Sequence, residues 1–108
     1  MSSASNLFHA PAGGFVIAAA HPGAVLAEEI AARKITAHAL ALKLRVPANR
    51  IGAIIAGGRG VSAETALRLG RYFGTGAALW MNLQAAYDLE TAEREVGAKI
   101  RREVELAA

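Results

Sequence analysis

Apolar side chains recur every three or four positions along most of the chain, which is the spacing of one face of an α-helix. Short stretches of Gly, Pro, Ser or Thr separate the apolar segments, and such residues start or end helices. The pattern predicts an all-α fold of about five helices plus a C-terminal helix. The first predicted helix has Pro22 in its first turn, and the second runs from Ala37 to Leu44 with Thr36 as its cap. The third begins at Ala48 or Asn49 and ends at Gly57, and the fourth is capped by Ser62 and ends at Gly74. Thr75 is predicted to cap the fifth, and a charged helix is predicted from about Glu90 to the end.

The stretch LALKLRVPANRIGAII, residues 40–55, contains a short break between two helical segments. Pro47 prevents the first helix from continuing through its position and favours an extended Val46. Two helices joined by a three- or four-residue turn cross at a steep angle, which requires a small residue where the backbones meet, and Ala41 occupies that position. The break therefore predicts a helix-turn-helix. Its shared core is predicted to contain Leu40, Leu44, Val46, Ile51 and Ile54.

The second helix of this pair is predicted to expose Ala48, Asn49, Arg50, Gly52 and Ala53. In a DNA-binding helix-turn-helix, the second helix lies in the major groove with its N-terminal residues at the base edges. Asn pairs with adenine and Arg with guanine in bidentate fashion, so Asn49 and Arg50 are the main candidates for base recognition. Ala48 and Ala53 are available for a thymine methyl group. The alternative for the Asn49 side chain is a helix N-cap.

Basic residues are concentrated in the middle of the chain. Between Arg33 and Arg71 there are eight basic residues and one acidic residue, a local charge of +7, whereas the remainder carries a charge of −4. This distribution favours a polyanion-facing region, although a solvated basic surface is the alternative. Contacts to DNA phosphates are predicted for Thr36, His38, Lys43, Arg45 and Arg59.

Several other classes of site are not supported by the sequence. The chain has no cysteine, and His9, His21 and His38 lack the spacing of metal ligands. The segment AGGRG lacks the GxxxxGK[ST] pattern of a phosphate-binding loop, and no nucleophile with a nearby base is evident. We therefore expect neither an enzyme nor a bound cofactor or metal. No apolar run is long enough for a membrane span, so a soluble protein is expected.

The chain divides into three predicted regions. Residues 1–20 are predicted to be a flexible leader, residues 21–89 the helix-turn-helix domain and residues 90–108 a C-terminal helix for dimer or partner contact. Ala92, Val96, Ile100 and Val104 form a narrow apolar stripe on this last helix. The chain also contains 26 alanines, which bury little area each, so a homodimer is expected to complete the buried surface.

The segments HPGAVLAEEI and LALKLRVPANRIGAIIAGGRGVSAETALRLGRYFGTGAALWMNLQAAYDLETA together resemble the HigA family of antitoxins, which have a lambda-repressor-like (XRE-type) helix-turn-helix. The resemblance implies a homodimer that neutralises a small mRNA-cleaving toxin, a HigB-like ribonuclease, and represses the shared operon by binding operator DNA. It matches Ala48, Asn49, Arg50 and Ala53 to the recognition-helix positions. Arg59 matches the basic residue of the following loop.

Three positions depart from the family pattern. Arg45 replaces a turn Gly, Ala37 replaces a phosphate-binding Gln, and Gly52 replaces a Ser of the recognition helix. A non-Gly residue with positive φ costs about 1 kcal/mol, and the other two changes remove polar contacts. Two alternatives therefore remain beside an antitoxin that represses its own operon. They are a stand-alone XRE-type transcriptional regulator and a protein-binding inhibitor that no longer recognises DNA.

Overall fold

The computed structural model describes residues 19–108, and within this range all regular structure is helical. The predicted all-α class is therefore confirmed for the described residues. The predicted leader, residues 1–20, lies outside the described residues except for Ala19 and Ala20. The helices are α1 (Pro22–Arg33), α2 (Ala37–Leu44), α3 (Arg50–Ile55), α4 (Ala63–Phe73) and α5 (Ala77–Glu103).

Side-chain caps start α2 and α4 at the residues predicted from the sequence. The Thr36 hydroxyl accepts a hydrogen bond from the Ala39 amide at 3.0 Å, and the Ser62 hydroxyl accepts one from the Thr65 amide at 3.3 Å. Each bond satisfies an amide that has no partner inside its helix. Gly74 ends α4 with φ of 75°, a left-handed conformation that Gly adopts without steric cost.

The predicted separation of a fifth helix from a C-terminal helix is wrong. Residues 77–103 form one continuous helix that passes through Glu90 and ends at Glu103, because residues 85–96 contain no Gly or Pro that would interrupt it. The predicted cap at Thr75 is also wrong, since the N-cap is Gly76. The Thr75 hydroxyl instead accepts a hydrogen bond from the Trp80 indole at 3.1 Å.

The core contains buried side chains from all five helices. Ala41 is buried at the crossing of α2 and α3, as the helix-turn-helix pattern predicts, and Val46 is half-buried against the same cluster. Trp80 is buried beside Phe73, with ring centroids 5.8 Å apart, and joins α4 to α5. The largest buried apolar side chains are Leu26, Leu40, Leu44, Ile51, Ile54, Leu69, Trp80 and Leu83.

Beyond the core, α5 contacts α1 and then extends into solvent. The ring of Tyr87 packs edge-on against His21, and Glu90 accepts a hydrogen bond from the Ala19 amide at 3.1 Å. After Glu90, the residues of α5 are exposed, with two exceptions. Thr91 is half-buried and Gly97 is buried. No helix within residues 19–108 combines the length and apolar character needed to cross a membrane.

Candidate nucleic-acid interface

The turn between α2 and α3 has the left-handed conformation that its sequence implies. Arg45 has φ of 61° and ψ of 42° and follows the last residue of α2 directly. The Val46 amide donates to the Ala41 carbonyl at 3.1 Å, which closes the end of α2. The Arg50 amide then donates to the Pro47 carbonyl at 2.9 Å and begins the next helical turn. The predicted helix-turn-helix is present in the structure.

The short helix α3 and the two residues before it have one buried side and one exposed side. Ile51 and Ile54 are fully buried, whereas Asn49 and Gly52 are exposed and Ala53 is half-buried. Ala48 is also exposed. The residues on the exposed side are therefore small, apart from the polar Asn49.

The Asn49 side chain is exposed and makes no capping hydrogen bond to α3. Its alternative role as a side-chain cap therefore does not apply in this structure. An amide group with a free donor and a free acceptor matches the N6 and N7 positions of adenine. Asn49 thus has the exposure and chemistry that base recognition requires.

Arg50 differs from the simple outward orientation predicted from the sequence. Its side chain is partly buried, and its Nη1 donates to the Thr65 hydroxyl at 3.4 Å. Its Nε is buried and has no hydrogen-bond partner among the described residues. As the first residue of α3, Arg50 lies at the boundary between the buried and exposed sides, beside the start of α4. The rest of its guanidinium group carries the donors available to a ligand.

Three of the predicted phosphate-contacting residues are exposed around this helix pair. Thr36 and His38 belong to the N-terminal end of α2, and Arg59 belongs to the loop after α3. The Thr36 hydroxyl accepts the capping bond from Ala39, which leaves its proton free to donate. An exposed donor at a helix N-terminus is favourably placed for an anion, because the amide dipoles there add positive potential.

The basic middle of the chain retains most of its positive charge after folding. Within residues 19–108, Arg33 pairs with Glu29 and Arg68 pairs with Glu64, whereas the other six cations between residues 33 and 71 have no acidic partner. Because unpaired cations keep their full attraction for an anionic ligand, this region retains the electrostatic character of a polyanion-binding surface. The six are Lys34, Lys43, Arg45, Arg50, Arg59 and Arg71.

No protein-family model matches the chain. Virulence-associated protein I of Dichelobacter nodosus is 49% identical over 86 residues, which cover 79% of this chain and 80% of that protein. A solved addiction module antidote protein of the HigA family from Coxiella burnetii is 44% identical with a TM-score of 0.80, and the match covers 84% of this chain and 100% of that one. The chain belongs to the HigA family of antitoxins. A second HigA-family structure, the Pseudomonas aeruginosa antitoxin HigA with the higBA promoter, is 43% identical over 83% of this chain and 99% of that one, with a TM-score of 0.80.

One departure from the HigA pattern puts a side chain in the left-handed region. Arg45 has a positive φ of 61°, which Gly adopts without steric cost, so the turn carries backbone strain. Gly52 faces open space, with nothing within 4 Å of the position its Cβ would occupy. The replacement of a polar residue there removes a side chain without disturbing the packing.

The two remaining predicted phosphate contacts of this HigA-family chain lie at the other end of α2. Lys43 and Arg45 line a groove of about 450 Å³ against the exposed side of α4, where Arg71 joins them. The apolar side chains of Leu67 and Tyr72 also line it. Lys43 and Arg45 are therefore grouped with α4, at the opposite end of α2 from Thr36. Their contact with phosphate remains a prediction.

Sequence reasoning missed Thr65, the partner of Arg50. Thr65 is only 2% exposed and is the single buried polar side chain among the residues that the structure describes. Its position next to the buried Ala66 and four residues before the buried Leu69 places it on the inner side of α4. A hydroxyl at a core position of an amphipathic helix is the signal that identifies it, because such a group requires a hydrogen-bond partner.

Proposed function

We propose that this chain is a dimeric antitoxin that represses its own operon by binding operator DNA. It also neutralises a small mRNA-cleaving toxin of the HigB type. The antitoxin acts in the bacterial cytoplasm and associates with the nucleoid. The observation that carries the proposal is the exposed first turn of α3. The chain has the same fold as an antitoxin solved with promoter DNA and is 43% identical to it over 83% of its length.

The exposed side of α3 supports sequence-specific binding in the major groove. Asn49 provides a bidentate partner for adenine, and Ala48 and Ala53 provide small apolar contacts for a thymine methyl group. Lysine and arginine side chains without acidic partners supply attraction to phosphates, which positions the protein but carries no sequence information. We therefore expect specific binding that weakens steeply as the salt concentration rises.

The second half of α5 supports contact with another protein chain. Leu89, Val96 and Ile100 follow one side of the helix and are 72%, 40% and 48% exposed. An apolar stripe on a charged helix is stabilised when a second helix covers it. In the proposed homodimer we expect the two recognition helices to lie about 34 Å apart, which is one helical turn of DNA.

Operator recognition is tested by enrichment of bound duplexes from a random DNA library, followed by competition between the enriched sequence and a scrambled one. Asn49→Ala removes the bidentate amide, and we expect it to reduce the preference by about 5- to 100-fold. Asn82→Ala, an exposed Asn on α5, is the matched control and should leave the preference unchanged. Failure of the wild-type chain to enrich any sequence would remove DNA recognition from the proposal.

Toxin neutralisation is tested by co-expression with the product of the neighbouring gene. Growth arrest by the neighbour alone, relief by co-expression and co-purification of the two proteins are the expected results. A harmless neighbour would leave a stand-alone regulator, provided that the chain still selects a DNA sequence. A toxic neighbour that is neutralised by a chain without DNA preference would indicate a protein-binding inhibitor.

A further inference from the structure

A chain of hydroxyl groups connects the start of α4 to the first residue of the recognition helix. The Thr65 hydroxyl oxygen lies 3.2 Å from the Ser62 hydroxyl, which donates to it, and 3.4 Å from Nη1 of Arg50, which also donates to it. Ser62 is held in turn as the N-cap of α4, where it accepts from the Thr65 amide. Because Thr65 is buried in the core, the oxygen that receives Arg50 has a fixed position.

The same environment limits how Arg50 can contact a ligand. A guanidinium group has five N–H donors in one plane and can present either its side, with Nε and one Nη, or its end, with both Nη atoms. The Nε of Arg50 is buried and without a partner among residues 19–108, so an external ligand does not reach the side that contains it. Nη2 has no hydrogen-bond partner within the same residues and is not among the buried unpartnered atoms, and Nη1 keeps a second N–H beside the one that it donates to Thr65. These donors belong to the end of the group.

We infer that Thr65 is a positioning residue for base recognition, which holds the guanidinium of Arg50 so that its two Nη groups face the DNA end-on. This inference rests on the proposed function, since it assumes that α3 lies in the major groove. An end-on guanidinium donates two parallel hydrogen bonds, and O6 and N7 of guanine are the base-edge acceptors that match them. The base pair facing Arg50 is accordingly a G·C pair.

The test compares Thr65→Val with Thr65→Ser. Valine keeps the branched shape and removes the hydroxyl, whereas serine keeps the hydroxyl and removes a methyl group. The probe is the duplex that the wild-type chain enriches from a random library, together with the set of its single base-pair substitutions. We expect Thr65→Val to reduce the discrimination at one G·C pair by about tenfold and Thr65→Ser to retain it. The expected reduction is moderate because the hydrogen bond to the charged donor is long and therefore weak for its class.

A double-mutant comparison separates positioning from general stability. In an Arg50→Ala background, Thr65→Val should cause no further loss of discrimination, since the group that it positions is absent. Thermal unfolding of each variant identifies an effect on the fold. The inference is overturned if Thr65→Val discriminates at every base pair as the wild type does, or if it weakens binding equally to all duplexes. A wild-type chain that enriches no sequence would instead contradict the proposed function itself.

Discussion

Two glycines show how strongly the effect of a single residue depends on its neighbours. Gly23 in α1 is buried, and a Cβ at its position would lie 2.0 Å from the carbonyl oxygen of Ile54 in α3. The backbones of the two helices meet there, so no side-chain movement relieves the overlap. Gly52 in the recognition helix faces open space instead. The first glycine permits a helix crossing, whereas the second only lowers the helix propensity of α3.

We expect Gly23→Ala to lower the free energy of unfolding by at least about 2 kcal/mol, because two backbones must separate to admit the methyl group. Gly52→Ala is the matched control and should raise the free energy of unfolding by up to about 1 kcal/mol, since alanine favours the helix and meets no neighbour. Urea denaturation followed by circular dichroism measures both. Equal effects of the two substitutions would contradict the close crossing of α1 and α3.

At the scale of elements, the turn between α2 and α3 combines a strained residue with hydrogen bonds that close the end of α2. Arg45 lies in the left-handed region, and the amides of Arg45 and Val46 both donate to carbonyls of the last turn of α2. Arg45 also lines the nearby groove together with Lys43 and Arg71. The turn shape therefore persists with an unfavourable residue, because the packing of both helices determines it.

Arg45→Gly should raise the free energy of unfolding by about 0.5 to 1 kcal/mol, since glycine adopts positive φ without steric cost. Lys43→Gly, two residues earlier and inside α2, should lower it by about 1 kcal/mol through lost helix propensity. Thermal denaturation at matched ionic strength compares the two variants. A lower free energy of unfolding for Arg45→Gly would contradict this prediction. The contacts of the Arg45 side chain would then stabilise the fold by more than its backbone strain costs.

At the scale of the whole molecule, α5 has two parts with different surroundings. Trp80 and Leu83 in its first part are buried in the core, whereas Val96 and Ile100 in its second part are exposed on an apolar stripe. The second part carries ion pairs within the helix, including Lys99 with Glu103, which support an extended helix in solvent. A charged helix that is apolar along one side is suited to pairing with another chain.

Val96→Glu should shift a dimer towards monomer and weaken operator binding, because a carboxylate on the stripe would be desolvated in a helix pair. Ala98→Glu adds the same charge at an exposed position on a different side of α5 and should leave both properties unchanged. Light scattering measures the mass, and a DNA titration measures binding. A wild-type chain that is monomeric at micromolar concentration would contradict the proposed dimer.

Sequence reasoning succeeded where structure depends on residues close together in the chain. The caps at Thr36 and Ser62 and the turn at Arg45 involve hydrogen bonds that span about five residues or fewer. Local signals failed at Thr75, because its hydroxyl accepts a hydrogen bond from the Trp80 indole and the N-cap is Gly76. They also failed at Glu90, because a change from apolar to charged composition does not interrupt a helix whose residues 85–96 contain no Gly or Pro.

The sequence by itself determined the helical class, the position of the helix-turn-helix and the division of α3 into a buried and an exposed side, because helical periodicity and turn chemistry are local properties. Only the tertiary structure decided that Gly23 lies against Ile54, that Arg50 is held by Thr65 and that Lys43 is grouped with Arg71. These contacts join different helices, and their geometry depends on the crossing angles and close approaches of the packed core, which no local pattern encodes.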